Sequence, residues 1–416
     1  MFFRVVVLLG CVTVGLARQS PQADRVDELL RLKVLQGRYS KDILRDASLD
    51  VPDLIRKYNY PVEVHTVTTE DGYILEMHRI PHGRDNNNVP DQNKPIVFVM
   101  HGLLCSSADW VLMGPGKGLA YILAEEGFDV WMGNARGNYY SRTHTHLNPD
   151  SLFNTQFWEF SWDEIGNIDL PTMIDYALSY TGRNRLYYIG HSQGTTAFFV
   201  MTSLRPEYNA KIISMHAMAP VAYMAHNRSL FLRAISPFSK NLEVGIYPGR
   251  KRIIVDVTAT YSHLTVVAVA SIHGPHSNLE CHILFQTMLP VKMGHTPAGA
   301  SVRQFAHYGQ GIADGHFRRY DHGWLRNRRL YGSRTPPNYP LERITTPVFL
   351  HFSDQDPLAE VPDVQRLFRE LGRPVGLFRI QQSSFSHLDF MWGIDARSLL
   401  YDRIINLLWS MNNNEN

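Results

Sequence analysis

The stretch Leu186–Phe199, LYYIGHSQGTTAFF, decides how this chain is read. An apolar, aromatic-rich run enters Gly190-His191-Ser192-Gln193-Gly194 and leaves through small and apolar residues. The pattern is that of a nucleophile elbow, G-x-S-x-G, a sharp strand-to-helix turn that displays a serine hydroxyl. Glycines two positions to either side relieve the crowding where strand and helix come close. With glycine at roughly 7% of residues in ordinary proteins, the bare pattern is not rare by chance. Its weight comes from the strand-like run before it and the helix-compatible run after it.

The rest of the chain repeats that rhythm. Ile96–Met100 (IVFVM), Phe128–Met132 (FDVWM), Leu186–Ile189, Ile212–Met218 (IISMHAM), Val348–Phe352 (VFLHF) and Val375–Ile380 (VGLFRI) are short, nearly continuous apolar runs. Each of the first four is followed by a turn and a stretch long enough for a helix. Continuous rather than alternating strands predict a mostly parallel sheet covered on both faces. EVHTVTTEDGYILEMHRIP alternates around Asp71-Gly72 and predicts a hairpin ahead of that sheet. ARSLLYDRIINLLWSM predicts a closing amphipathic helix. From about Val221 to Thr345 the alternation stops, which reads as a cap inserted between two strands, over the ends where open α/β sheets bind ligands. The expected division is a first core part over residues 52–220, a cap and lid over 221–345, and a second core part over 346–416.

Composition narrows the class of function. Hydrophobic residues are 44% and charged ones 19% of the 416 residues, a globular balance. A formal charge of +2 gives no field that would argue for a nucleic-acid partner. MFFRVVVLLGCVTVGLA reads as a signal peptide over residues 1–17, and no other stretch approaches the ~18 apolar residues of a membrane span. The protein is expected in the secretory pathway, either secreted or lysosomal. Residues 18–51 are polar and helix-prone, a pro-segment or an attached helix. Beyond the leader only Cys105 and Cys281 remain, compatible with one bridge or with two free thiols. Asn227-Arg228-Ser229 is a sequon that marks Asn227 as a glycosylation acceptor.

A serine nucleophile needs a histidine base and a carboxylate to orient it, and in α/β-hydrolases these follow in the order Ser, Asp or Glu, His. VFLHF runs into SDQDPLAEVPDV, offering Asp354 and Asp356; VGLFRI is followed by QQSSFSHLDFMWG, offering His387, with Asp389 a competing partner two residues on. Stabilising the oxyanion takes two backbone N–H groups. Gln193 supplies one, and the turn His101-Gly102-Leu103 after IVFVM supplies the other at Leu103. His351, inside its strand, reads as a core histidine. His144-Thr145-His146 and the loose set His273, His276, Cys281 and His282 lack the three or four convergent ligands of a metal site. Gly114-Pro115-Gly116-Lys117-Gly118 lacks the spacing of a phosphate loop. The chemistry requires no metal and no cofactor.

HGLLCSSADW, NARGNYYSR, FSWDEIGNIDLP, GHSQGTTAFF, DQDPLAEVPDV and FSHLDFMWG, in that order, resemble the acid lipase family, which includes gastric, lingual and lysosomal acid lipases and many insect relatives. The resemblance runs from VPDLIRKYNYPVEV almost to the C-terminus. It implies an α/β-hydrolase fold with a cap and lid, and hydrolysis of triacylglycerols or sterol esters at a lipid–water interface. Motif by motif, it implies Ser192 as nucleophile, Asp356 rather than Asp354 as the acid, His387 as base, and Leu103 and Gln193 as oxyanion donors. Two departures stand out. Asp356 is followed by Pro-Leu-Ala-Glu-Val where the family has Asp-x-Leu-Ala-Asp-Pro, and the cap holds Cys281 without a second cysteine for the disulfide that vertebrate members carry. Two further readings share the scaffold: a catalytically inactive lipid-binding protein, and an acyltransferase in which an alcohol replaces water. The cap's apolar segments around Phe231 and Val266 offer peripheral contact with a lipid surface or simply the cap's own core. No feature of the sequence sets an oligomeric state.

Overall fold

The computed structural model describes residues 39–413, apart from 86–87, 152–153, 230–231, 234–235 and 239–287. The signal segment, most of residues 18–51, Phe231, Val266, Cys281 and the second histidine set lie outside the described residues.

Two short helices lead in. Ser40 caps α1 (Lys41–Ser48) by accepting the Ile43 N–H, and Asp50 caps α2 (Val51–Lys57) by accepting that of Asp53. The predicted hairpin follows as β1 (Glu63–Thr68) and β2 (Tyr73–Ile80), antiparallel with Thr68 opposite Ile74. The parallel strands are β3 (Ile96–Met100), β4 (Asp129–Gly133), β6 (Leu186–His191), β7 (Ile212–Met218), β8 (Val348–Phe352) and β9 (Pro374–Arg379). A two-residue β5 (Thr143–His144) pairs with β2. The sheet runs β1-β2-β4-β3-β6-β7-β8-β9, antiparallel across β1, β2 and β4 and parallel from β4 onward. Every residue of β3, β4, β6, β7 and β8 is buried, which is why these strands read as unbroken apolar runs rather than as alternation.

Three strands differ from the sequence reading in their bounds: β6 runs two residues further, to His191, and two others shift by one residue for a physical reason. β4 starts at the charged Asp129 because Arg79 on neighbouring β2 clasps that carboxylate with two 2.8 Å hydrogen bonds. β9 starts at Pro374, tolerated because β9 ends the sheet and a proline can open an edge strand.

Helix α3 (Leu119–Glu125) leads into β4. A π-helical turn, Ile165–Asp169, opens into α4 (Leu170–Thr181) ahead of β6. After β6, α5 (Gln193–Leu204) is buried over its whole length except Leu204. Its polar residues are satisfied inside, Thr202 and Ser203 by carbonyls of their own helix, and α5 lies against the π-helical turn so closely that a Cβ on Gly166 would meet Val200 and the Ala197 carbonyl below 3.0 Å. Between β7 and β8 the described residues form α6 (Val302–Asp314), opened by a Ser301–Gln304 capping box, and α7 (Trp324–Tyr331). α8 (Val361–Glu370) joins β8 to β9, and α9 (Asp389–Trp392) follows. The predicted C-terminal helix is α10 (Asp402–Asn413), entered through a π-helical turn and buried through Leu400, Tyr401, Ile404, Ile405 and Leu408.

The interior holds neutral histidines. His351 is fully buried in β8 with its Nε2 3.3 Å from Nδ1 of His216 on β7, and both stack among Phe349 and Phe378. Burial pushes His216 down to about 3 and His351 well below 6.5. A histidine held neutral in the fold is protonated in the unfolded chain below about pH 6.5, so stability falls as the pH drops from there toward the folded-state values. His101, His191 and His307 act in the same direction. Replacing His216 and His351 together by phenylalanine therefore reduces the proton uptake on unfolding by about two between pH 6 and 4.5. Urea-unfolding free energies across that range should show the shallower slope, and equal slopes would refute it.

Candidate active site

Ser192 sits at the corner between β6 and α5 with φ 50° and ψ −117°, a backbone region that costs a non-glycine residue about 1–3 kcal/mol. Its surroundings enforce it. The Ser192 N–H donates to the Met218 carbonyl at the end of β7 (3.1 Å), and its carbonyl accepts from Thr195 N–H (2.9 Å) and the Thr195 hydroxyl (2.6 Å). Thr195 Oγ1 in turn accepts the Val221 N–H (2.9 Å), and Thr196 donates to the Val221 carbonyl (2.6 Å). The flanking glycines are steric necessities. A Cβ on Gly194 would lie 2.2 Å from the Met100 carbonyl oxygen of β3, and one on Gly190 would lie 2.8 Å from the Gly194 carbonyl carbon.

His387 and Asp356 meet from separate loops. Asp356, fully buried after β8, accepts the Leu358 and Ala359 N–H groups (2.8 and 2.9 Å) and takes His387 Nδ1 on both oxygens (2.9 and 2.8 Å). Burial alone would push the pKa of this carboxyl up, yet the His387 ring and the two backbone donors outweigh burial and hold it below the usual range. Asp354 points elsewhere and is ion-paired with Arg379 at the surface. Asp389 accepts the Ser386 N–H (2.7 Å), which closes the turn carrying His387.

His191, passed over in the sequence as the variable residue of the elbow, joins the two halves. Its Nε2 donates to the His387 carbonyl (3.0 Å) and the two rings lie 4.9 Å apart. Burial first, then repulsion from His387, pushes His191 down to about 3, so it stays neutral beside the pair. The residue before Ser192 thus contacts His387, with no Ser192–His387 hydrogen bond among the described contacts. The only signal for His191 was its adjacency to the serine.

A second histidine organises the turn after β3. His101 Nε2 accepts the Ala135 N–H (3.1 Å), which leaves the proton on Nδ1, donated to the Gly102 carbonyl (2.8 Å). That carbonyl also accepts the Cys105 N–H (3.3 Å). In a trans peptide the C=O and the following N–H point in opposite directions, so the Leu103 N–H faces away from His101. A Cβ on Gly102 would stand 3.2 Å from Ser192 Cβ, so this turn abuts the serine. The N–H of Gln193 is the first of α5 and has no partner within the helix. Behind His101, Asn138 bridges to Asn134, and Asn134 holds Ser107 by its N–H (2.9 Å) and hydroxyl (3.2 Å). Sequence periodicity carries no trace of this buried network.

Comparison with known proteins agrees with this architecture. The model described as alpha/beta hydrolase fold matches residues 95–394, and that of a partial alpha/beta-hydrolase lipase region matches residues 51–114. The chain is 44% identical to Drosophila melanogaster Lipase 1 over 374 residues, 88% of this chain and 81% of that one. It is 36% identical to bovine gastric triacylglycerol lipase over 377 residues, 87% of this chain and 92% of the other. The chain belongs to the α/β-hydrolase lipases. It is a carboxylic ester hydrolase. The fold is also that of a thermophilic esterase from Thermogutta terrifontis, with a TM-score of 0.51 at 12% identity over 84% of this chain and 99% of the esterase.

The remaining sequence candidates have structural employment in this lipase-family enzyme. His144 Nδ1 accepts the N–H groups of His146 and Leu147 (3.0 and 3.1 Å) while Nε2 donates to the Asp71 carbonyl (2.8 Å), closing a loop. Cys105 is a free, buried thiol. Gly114 and Gly116 adopt positive φ in a turn before α3. No group of three or more potential ligands that could hold a metal occurs among the described residues. Glu360, the departure from the family motif, pairs with Arg228, and Arg228 N–H donates to the Pro357 carbonyl (2.8 Å), tying the chain after β7 to the Asp356 loop. Asn227, the sequon residue, is drawn into that junction. It is 2% exposed, with its Oδ1 accepting the Ser229 N–H (2.9 Å).

Two outcomes follow. Gly194→Ala must part β3 from α5 and should cost about 3 kcal/mol, read as a Tm lowered by roughly 3–4 °C; an unchanged Tm would refute the close approach. Asn227→Gln expressed through the secretory route should migrate on a gel with the wild type, whereas a faster band would show that Asn227 carries a glycan.

Proposed function

We propose that this enzyme hydrolyses carboxylic esters of neutral lipids, triacylglycerol or sterol ester, with Ser192 as nucleophile, His387 as base and Asp356 as the orienting acid. The observation that carries the reading is the His387 ring clasped by both Asp356 oxygens and tethered by His191 next to a backbone-strained Ser192. With Nδ1 committed to Asp356, Nε2 is the nitrogen left for the serine proton.

Ser192 Oγ attacks the ester carbonyl carbon as His387 Nε2 takes its proton. The carbonyl oxygen becomes an oxyanion received by the N–H groups of Leu103 and Gln193, with His101 holding the Gly102–Leu103 peptide in place. The C–O bond to the alcohol breaks, His387 returns the proton to the departing oxygen, and Ser192 carries the acyl group. Water, deprotonated by His387, then releases the fatty acid and regenerates Ser192. Asp356, held ionised by its partners, stabilises the imidazolium in both halves.

The lipid substrate class is supported by the gastric triacylglycerol lipases among the relatives. In the same reading residues 52–220 and 346–416 build the catalytic core, residues 221–345 cap it, and the leader directs export or lysosomal delivery.

Hydrolysis of a triacylglycerol emulsion and of cholesteryl oleate by wild type and variants tests this. Ser192→Ala should lower kcat by on the order of 10⁵–10⁶ and Asp356→Asn by about 10⁴, with folding intact. Cleavage of a short soluble ester alone would keep the serine and overturn the lipid assignment. Cleavage of no ester would overturn the nucleophile and favour a lipid-binding role.

A further inference from the structure

Helix α7 is built inside out. It stands between two left-handed glycines, Gly323 (φ 83°) and Gly332 (φ 71°), and of its eight residues only Asn327 is buried. That one buried residue is polar. Asn327 Nδ2 donates to Asp321 Oδ1 (2.6 Å) and the Arg334 carbonyl (2.9 Å), and its Oδ1 accepts the His322 N–H (2.9 Å). Tyr331, partly buried, adds a hydrogen bond from its hydroxyl to the Tyr320 carbonyl (3.0 Å). The helix is therefore fastened through polar contacts, while Trp324, Leu325 and Leu330 are 57%, 65% and 55% exposed. These are three of the seven large hydrophobic residues left exposed among the described residues, gathered on one short helix. Burial explains none of them.

The charge on the same helix is one-sided. WLRNRRLYGSR, residues 324–334, contains four arginines and no acidic residue. Arg326, Arg328 and Arg329 are exposed and form no ion pair with a described carboxylate. The nearest acid in sequence, Asp321, is engaged by Asn327 and by the Gly323 N–H (2.9 Å). At helical spacing Trp324 neighbours Arg328 and Leu325 neighbours Arg329, so apolar and cationic groups share the outer face.

We propose that α7 docks the enzyme on a lipid surface bearing anionic phospholipid headgroups. Trp324, Leu325 and Leu330 enter the boundary between headgroup and acyl chain, while the arginines pair bidentately with the phosphates. Charge complementarity selects this occupant: an uncharged apolar partner would leave the guanidinium groups unanswered, and a purely acidic polymer would not use the indole and two leucines. The purpose of such docking rests on the lipid-ester function proposed above; the binding itself does not depend on it.

Flotation of the full-length protein with vesicles of phosphatidylcholine alone, or of phosphatidylcholine mixed with phosphatidylglycerol, tests the assignment. Wild type should prefer the anionic vesicles, and the triple variant Arg326→Gln, Arg328→Gln, Arg329→Gln should lose on the order of a hundred-fold in affinity for them. Trp324→Ala with Leu325→Ala should lose about ten-fold on the same vesicles. Both variants should keep wild-type rates on a short soluble ester, which shows that the fold survives. Equal binding of wild type and both variants overturns the proposal, as does wild-type indifference to phosphatidylglycerol. Retention on heparin that needs the arginines, without vesicle binding, also overturns it and points to an acidic polymer. Vesicle binding by a protein that cleaves no ester would keep the docking role and defeat the hydrolase reading instead.

Discussion

The closeness of three backbones at one point governs this molecule. β3, β6 and α5 converge so tightly that the position of a Gly194 Cβ falls 2.2 Å from the Met100 carbonyl oxygen. Only glycine allows it, and the chain leaving β6 has no path into α5 except through the strained conformation of Ser192. The strain is sustained by hydrogen bonds to β7 and to the loop after it, and by a helix buried over nearly its whole length. Site geometry and core packing are thus one arrangement, in which the turn that presents the hydroxyl is also the turn on which the sheet closes.

Around that corner the fold uses histidine in two electrostatic states. His101 and His191 are buried, neutral and committed to single tautomers, one orienting the Gly102 peptide and the other tethering the His387 loop. His387 alone of the three faces a carboxylate that burial would neutralise and that two backbone donors keep ionised. A charge in this position stabilises an imidazolium, whereas the neutral rings beside it add no competing positive charge. The division of labour among three nearby histidines follows from which partner each ring nitrogen meets.

Much of the fold was legible along the chain. Five of the strands are buried on both faces and so appear as continuous apolar runs, and the hairpin announces itself at Asp71-Gly72. Charged or proline boundaries misled by a residue where a long-range partner overrides local preference, as Arg79 does for Asp129. The elbow, the carboxylates after β8 and His387 after β9 could be found because each stands just past a strand end, where a motif is local. Choosing Asp356 over Asp354 on residues alone could not be done; both follow the same strand, and their fates separate through Arg379 and His387, far away in sequence.

The sequence by itself determined the succession of strands and helices along the chain, the presence of a serine at a strand-to-helix turn with a carboxylate and a histidine downstream, and membership among lipases. Those features rest on contiguous residues, whose spacing survives in one dimension. The tertiary structure alone decided that His191 tethers His387, that His101 aims a peptide, that the sequon residue Asn227 is enclosed beside the Asp356 loop, and that α7 turns its apolar residues outward. Each depends on partners brought together from separate strands and loops, and a hydrogen bond's second atom is invisible until the chain has folded around the first.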